Sequence, residues 1–132
     1  MEKNQQEIMY NLAMLEQQIQ HLQQQLQAVE ESTVDLNTLA FGLDELKGSV
    51  GKEVLAPLGR GIFVKTKLLS ENLIVDIGGR NLVGKSIPDT KKIISEQMEK
   101  LGNVKIELIG KIEELSRELN RLIDDVKEEE ED

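Results

Sequence analysis

Ile8, Leu12, Leu15, Ile19, Leu22, Leu26, Val29, Thr33, Leu36, Ala40 and Leu43 follow one another at alternating intervals of four and three residues, without a slip. A repeat averaging 3.5 residues returns side chains to one helical face, and here it predicts a coiled-coil arm over residues 1–47. The seven glutamines between Gln17 and Gln27 fall off that stripe and read as the wet face of the same helix. Gly48 and Gly51 terminate it. A second stripe runs through Ile94, Met98, Leu101, Lys105, Leu108, Ile112, Leu115, Leu119, Leu122 and Val126, predicting a matching arm over 90–127. Lys105 is its one polar seam residue; the expectation is that its ammonium snorkels outward and Val104 shares the contact. Pro88 with Asp89 or Thr90 suits the first turn and cap of this arm, placing its start near Asp89.

Between the arms, residues 48–89 change period to two. Ile62, Val64, Thr66 and Leu68 alternate with Phe63, Lys65 and Lys67, and Leu73, Val75 and Ile77 alternate with Ile74 and Asp76. Val54, Leu55 and Leu58 lie in a shorter run before them, Leu82 and Val83 in one after. The breaks GRG, SEN and GGRN supply glycine or asparagine for turns, so four short strands in two hairpins are expected. Pro57 belongs at an edge or a strand end. Each arm corresponds to roughly 55–60 Å of helix at 1.5 Å per residue. Equal arms joined by a folded insert favour an antiparallel hairpin over a parallel homodimeric coil. The fold class is α+β: a long antiparallel coiled-coil hairpin with a small four-strand oligomerisation region in its middle. Such a patch buries little alone and leaves open edges, which points to assembly through its strands.

Composition sharpens this. With two Phe, one Tyr and no Trp, the 132-residue chain lacks the bulk to fill a globular core, whereas its Leu, Ile and Val suit helices that bury a narrow stripe. Without cysteine, disulfides and thiolate metal sites are excluded, and the lone His21 reads as a solvated helix residue. No metal or cofactor is expected. No apolar run reaches the ~20 residues of a membrane span, and the N-terminus does not read as a signal peptide, so a cytoplasmic protein is expected. Residues 1–46 carry one Lys against eight acids (net −7), residues 47–89 seven bases against four acids (+3), and residues 90–132 eight bases against thirteen acids (−5). Two acidic arms disfavour nucleic acid. The end of the chain, residues 128–132, reads as a disordered acidic tail.

One stretch suggests enzymatic chemistry. GRNLVGKS, residues 79–86, satisfies the phosphate-loop spacing G-x-x-x-x-G-K-S. A working loop needs a helix starting at its Lys-Ser, and Pro88 is expected to delay that start. No carboxylate on a following strand is available for magnesium, so nucleotide hydrolysis is dismissed and the chain is not expected to be an enzyme.

The order heptad helix, two hairpins, heptad helix, taken with VLAPLGRGIFVKTKL and LIVDIGGRNLVGKS, resembles the α class of archaeal prefoldin subunits. The matching positions are Val54, Leu55, Pro57, Gly59, Gly61, Phe63, Lys65, Ile74, Val75, Ile77, Gly78, Lys85 and Ser86; Asn81 and Gly84 depart from the pattern. Two hairpins, rather than one, point to the α class. The resemblance implies an ATP-independent chaperone subunit in a hexamer of two α and four β chains, capturing non-native proteins at its arm tips for a group II chaperonin. The client-binding tip would be Ile8, Met9, Tyr10, Leu12, Met14, Leu119, Leu122, Ile123 and Val126, with Met9, Met14 and Ile123 partly exposed off the seam. The assembly strands would use Val54, Leu55, Leu58, Ile62, Phe63, Val64, Leu73, Val75, Ile77, Leu82 and Val83. A coiled-coil spacer without client binding is the alternative.

Overall fold

Six elements follow in chain order in the computed structural model, which describes residues 2–131: α1 (Glu2–Leu46), β1 (Glu53–Gly59), β2 (Ile62–Lys67), β3 (Leu73–Asp76), β4 (Leu82–Lys85) and α2 (Ile87–Glu131). α2 continues through Glu131, so residues 128–131 are helical where a disordered tail is expected from sequence, while Asp132 of that tail lies outside the described residues. The chain forms two compact units, one of Met1–Thr33 with Lys100–Asp132, the other of Val34–Glu99.

In the first unit the two helices pack side by side. Residues 11–18 of α1 face residues 118–125 of α2, and Glu30 faces Lys105, so ascending numbers on one helix meet descending numbers on the other. The pairing is antiparallel, as expected. Every seam residue of α1 from Ile8 to Thr33 is at least half-buried, with Ile19 buried, while the intervening glutamines are exposed. On α2, Leu108 is buried and Leu101, Ile112, Leu115, Leu119, Leu122 and Val126 are half-buried. Lys105 leaves the seam and its Nζ lies 3.7 Å from Glu30 Oε1, with both side chains about half exposed. In high dielectric such a pair adds little stability. Val104 is also 41% exposed, so the seam is thin at this turn.

The second unit holds the hairpins. Leu43, Ile87 and Ile94 form a buried cluster with Leu36, Ala40, Leu46, Leu73 and Met98 packed on it, joining both helices to β3. β1 pairs with β2 and β3 with β4, each as a separate two-stranded antiparallel sheet. The first ladder shifts register between Pro57 and Gly59, which places Leu58 in a bulge beside the proline. Its turn is Arg60-Gly61, with φ of 53° and 79°; the second turn is centred on Gly79-Arg80, with φ of 59° and 64°, closed by Asn81 N–H donating to the Gly78 carbonyl. Both are primed turns whose twist matches the strands. Arg80 takes a left-handed position in this turn although asparagine stands next to it. Asp76 Oδ1 accepts the Gly78 N–H at 2.9 Å and steers the chain into that turn.

Beside the cluster, Lys91 Nζ donates to both carboxylate oxygens of Asp44, at 2.8 and 2.9 Å, and this hydrogen bond holds the Asp44 carboxyl below its ordinary value. α2 starts at Ile87, earlier than Pro88 and Asp89 suggest. Ser86 is the cap: its Oγ accepts the Asp89 N–H at 3.2 Å, while its carbonyl accepts the Thr90 N–H and hydroxyl. Pro88 then sits in the first turn, where its missing N–H costs nothing. Ser86→Ala leaves an orphan donor, and a loss of about 1 kcal/mol in unfolding free energy is expected by urea titration.

Candidate interaction surfaces

With a helix beginning at Ile87, GRNLVGKS does have the strand before it and the helix after it that a phosphate loop requires, so the expected late helix start is not what rules the loop out. The reason lies between those elements. Leu82–Lys85 are extended and paired with β3 in the register Asp76↔Leu82, Val75↔Val83, Ile74↔Gly84 and Leu73↔Lys85. A ladder strand points successive N–H groups to opposite sides, so it cannot curl them around one phosphate. Gly79 and Arg80 make the turn and Ser86 caps α2, which leaves Lys85 as the second hairpin's last residue. Among the described residues no group of His, Asp and Glu is placed to hold a metal ion, and no helix is long and apolar enough to cross a membrane.

Two apolar surfaces remain, one in each unit. In the hairpin unit the pleat decides which residues face outward. Leu73, Val75 and Val83 share the half-buried face of the second hairpin, and Leu73 packs on the helix cluster. Ile74 and Leu82 are exposed on its other face. In the first hairpin Val54, Ala56 and Thr66 are half-buried, whereas Leu55 and Phe63 stand exposed on the opposite face with Lys65. Val64, Leu58, Ile62 and Ile77 are exposed as well. Both sheets have two unpaired edges. Ile74 is not among the assembly residues expected from sequence, and its exposure beside Leu82 follows from the pairing of β3 with β4.

In the helical unit, Ile8, Leu12, Leu119, Leu122 and Val126 lie in the seam and are half-buried. Met9, Tyr10 and Met14 are 60%, 65% and 39% exposed, and Ile123 is half-buried. Met9 and Met14 therefore emerge off the seam as the heptad spacing requires. Three further exposed residues, Val104, Ile106 and Ile109, follow near Lys105 along α2; their only sequence signal is that they are apolar and off the stripe. Val34, Leu39 and Phe41 of α1 are likewise exposed in the hairpin unit.

Comparison with known proteins accords with this architecture. The sequence profile of the prefoldin subunit family matches residues 15–131. Prefoldin subunit alpha of Methanosphaera stadtmanae is 32% identical over 80 residues, covering 61% of this chain and 58% of that protein. Prefoldin subunit alpha 2 of Thermococcus kodakarensis is 32% identical over 79 residues, 59% of this chain and 56% of its own length. The chain thus matches a little over half the length of these two relatives. Prefoldin subunit alpha of Methanococcus aeolicus is 30% identical over 120 residues, covering 90% of this chain and 82% of that protein. Filamentous PFD from Methanocaldococcus jannaschii, solved by cryo-electron microscopy, has the same fold, with a TM-score of 0.76 over 85% of this chain and 94% of that one, at 24% identity. With two heptad helices enclosing two β-hairpins, and a family match over nearly its whole length, the chain belongs to the prefoldin subunit family and, within it, to the alpha class.

Proposed function

We propose that this chain is an ATP-independent chaperone subunit that binds non-native proteins at the ends of its paired helices and delivers them to a group II chaperonin in the cytoplasm. Its hairpins join prefoldin beta subunits in a hexamer of two alpha and four beta chains. The observation that carries client binding is the exposure of Met9, Tyr10 and Met14 on a helix whose seam is already filled. Met is flexible and polarisable, so it adapts to apolar segments of differing shape. Several such ends in one assembly add weak contacts into useful retention without nucleotide-driven closure.

The test is suppression of aggregation of a denatured client, with the chain assembled on its beta partner and no ATP. Met9→Ser/Tyr10→Ser/Met14→Ser is expected to lose most of the protection while far-UV circular dichroism is unchanged, because none of the three fills the seam. Full protection by this variant would remove the end-binding reading. A spacer with no client role predicts no protection by the parent assembly either.

A further inference from the structure

The formal charge of −9 is confined to one unit. Residues 1–33 and 100–132 together hold seven bases against sixteen acids, whereas residues 34–99 hold nine of each. Part of this charge lines an apolar groove. Between α1 and α2 a shallow groove of about 490 Å³ has Met14, Leu15 and Leu122 as its apolar surface and Glu118, Arg121 and Asp125 along its α2 side. Glu118 and Asp125 are exposed, and among the described residues neither makes an ion pair. They are seven residues apart, two helical turns, so they rise from the same face about 10.5 Å from each other. Leu122 lies between them in the sequence and on that face.

This spacing has a counterpart in an unfolded chain. In a polyproline II segment, a major conformer of unfolded chains, side chains three residues apart return to the same side about 9 Å from each other. A segment with an apolar residue between two cations at that interval can set the apolar group on Leu122 and Met14 and reach both carboxylates at once. We propose that the groove selects non-native segments in which an apolar residue is flanked by Lys or Arg three positions apart. The inference rests on the end-binding reading above and adds to it the charge class and spacing of the client. Arg121 stands between the two carboxylates and opposes such a segment, so its removal is expected to strengthen binding.

The experiment measures fluorescence anisotropy of short labelled Gly/Ser peptides on the full-length chain assembled with its beta partner. All carry the same apolar residues; one has flanking Lys three positions apart, one has the Lys far apart, and one has Glu in place of Lys. The Lys-flanked peptide is expected to bind about tenfold tighter than the Glu-flanked one at low salt, an advantage that shrinks in about 0.5 M salt. Glu118→Gln/Asp125→Asn is expected to erase most of the difference, Arg121→Gln to widen it, and Glu107→Gln/Glu113→Gln, which removes as much charge outside the groove, to leave it nearly intact. Equal binding of the Lys-flanked and Glu-flanked peptides, with both lost in the Met9, Tyr10 and Met14 variant, overturns the charge selection while sparing end binding. Equal loss in the two carboxylate double variants, or indifference to Lys spacing, overturns the groove in favour of net charge alone. Absence of binding by every peptide overturns both.

Discussion

Ile94→Ala is expected to lower the melting temperature of the isolated chain by about 10 °C, through a loss of about 3 kcal/mol. The size follows from how little core there is. Among the described residues no side chain is fully buried, and the buried apolar set is Ile19, Leu43, Ile87, Ile94 and Leu108. Three of these five sit in one cluster, and Ile94, 4% exposed, packs where α1, α2 and Leu73 of β3 converge. Shortening it leaves a cavity that two helices cannot close without moving the second hairpin. A domain is stabilised by roughly 5–15 kcal/mol in all, so this one contact is a large share. The damage is expected first in residues 34–99, as faster amide exchange in β3, β4 and the start of α2. Ile106→Ala is the matched control, since Ile106 is 71% exposed and its truncation is expected to change stability by less than about 0.5 kcal/mol. Similar melting of the two variants would show that the cluster does not hold this unit together.

The helical seam was legible because burial in a two-helix pair follows one stripe. A side chain is covered when its spacing brings it back to the partner, and the 4-3 repeat states that directly. Lys105 was legible for the same reason: a long stem with a charged head leaves a two-helix seam at little cost. The hairpins were legible from period two and glycine-rich breaks. Which face of each strand is covered was not, because alternation distinguishes two faces without saying which meets the helices. Leu73 turned inward and Ile74 outward through the packing of β3 on Ile87 and Ile94, a long-range contact that no local pattern encodes. The start of α2 was misplaced by Pro88. Proline suits any first-turn position, so it marks a helix start only to within a residue or two, and the Ser86 hydroxyl settles it. The arginines in left-handed turn positions were hidden by neighbouring glycines, which offered easier places for positive φ. At the candidate sites, the partial exposure of Met9 and Met14 followed from the seam, whereas the pairing of Glu118 and Asp125 along one groove needs the packed helices to be seen.

Phe63→Asp combined with Leu82→Asp is expected to weaken assembly with other prefoldin subunits by at least about a hundredfold while leaving the monomer folded. The two residues lie on different hairpins, both exposed and neither in the buried cluster, so the isolated chain has no packing to lose at either. In an assembly that covers these faces, each aspartate would lose water without gaining a partner, and a desolvated unpaired carboxylate opposes association strongly. Phe63 is also the hairpins' one aromatic side chain, and a large rigid ring is the kind of residue that dominates a protein interface. Native mass spectrometry of the chain mixed with a prefoldin beta subunit reads the outcome directly: the parent is expected to form the higher oligomer and the variant to remain in smaller species. Tyr10→Asp, which also introduces an exposed carboxylate but on α1 in the helical unit, is expected to assemble normally and to lose client protection instead. The pair separates the two surfaces because each substitution leaves the other surface's chemistry intact. If the double hairpin variant assembles like the parent, the exposed faces of β2 and β4 are not the subunit contact, and the open strand edges would have to carry association through backbone hydrogen bonds alone.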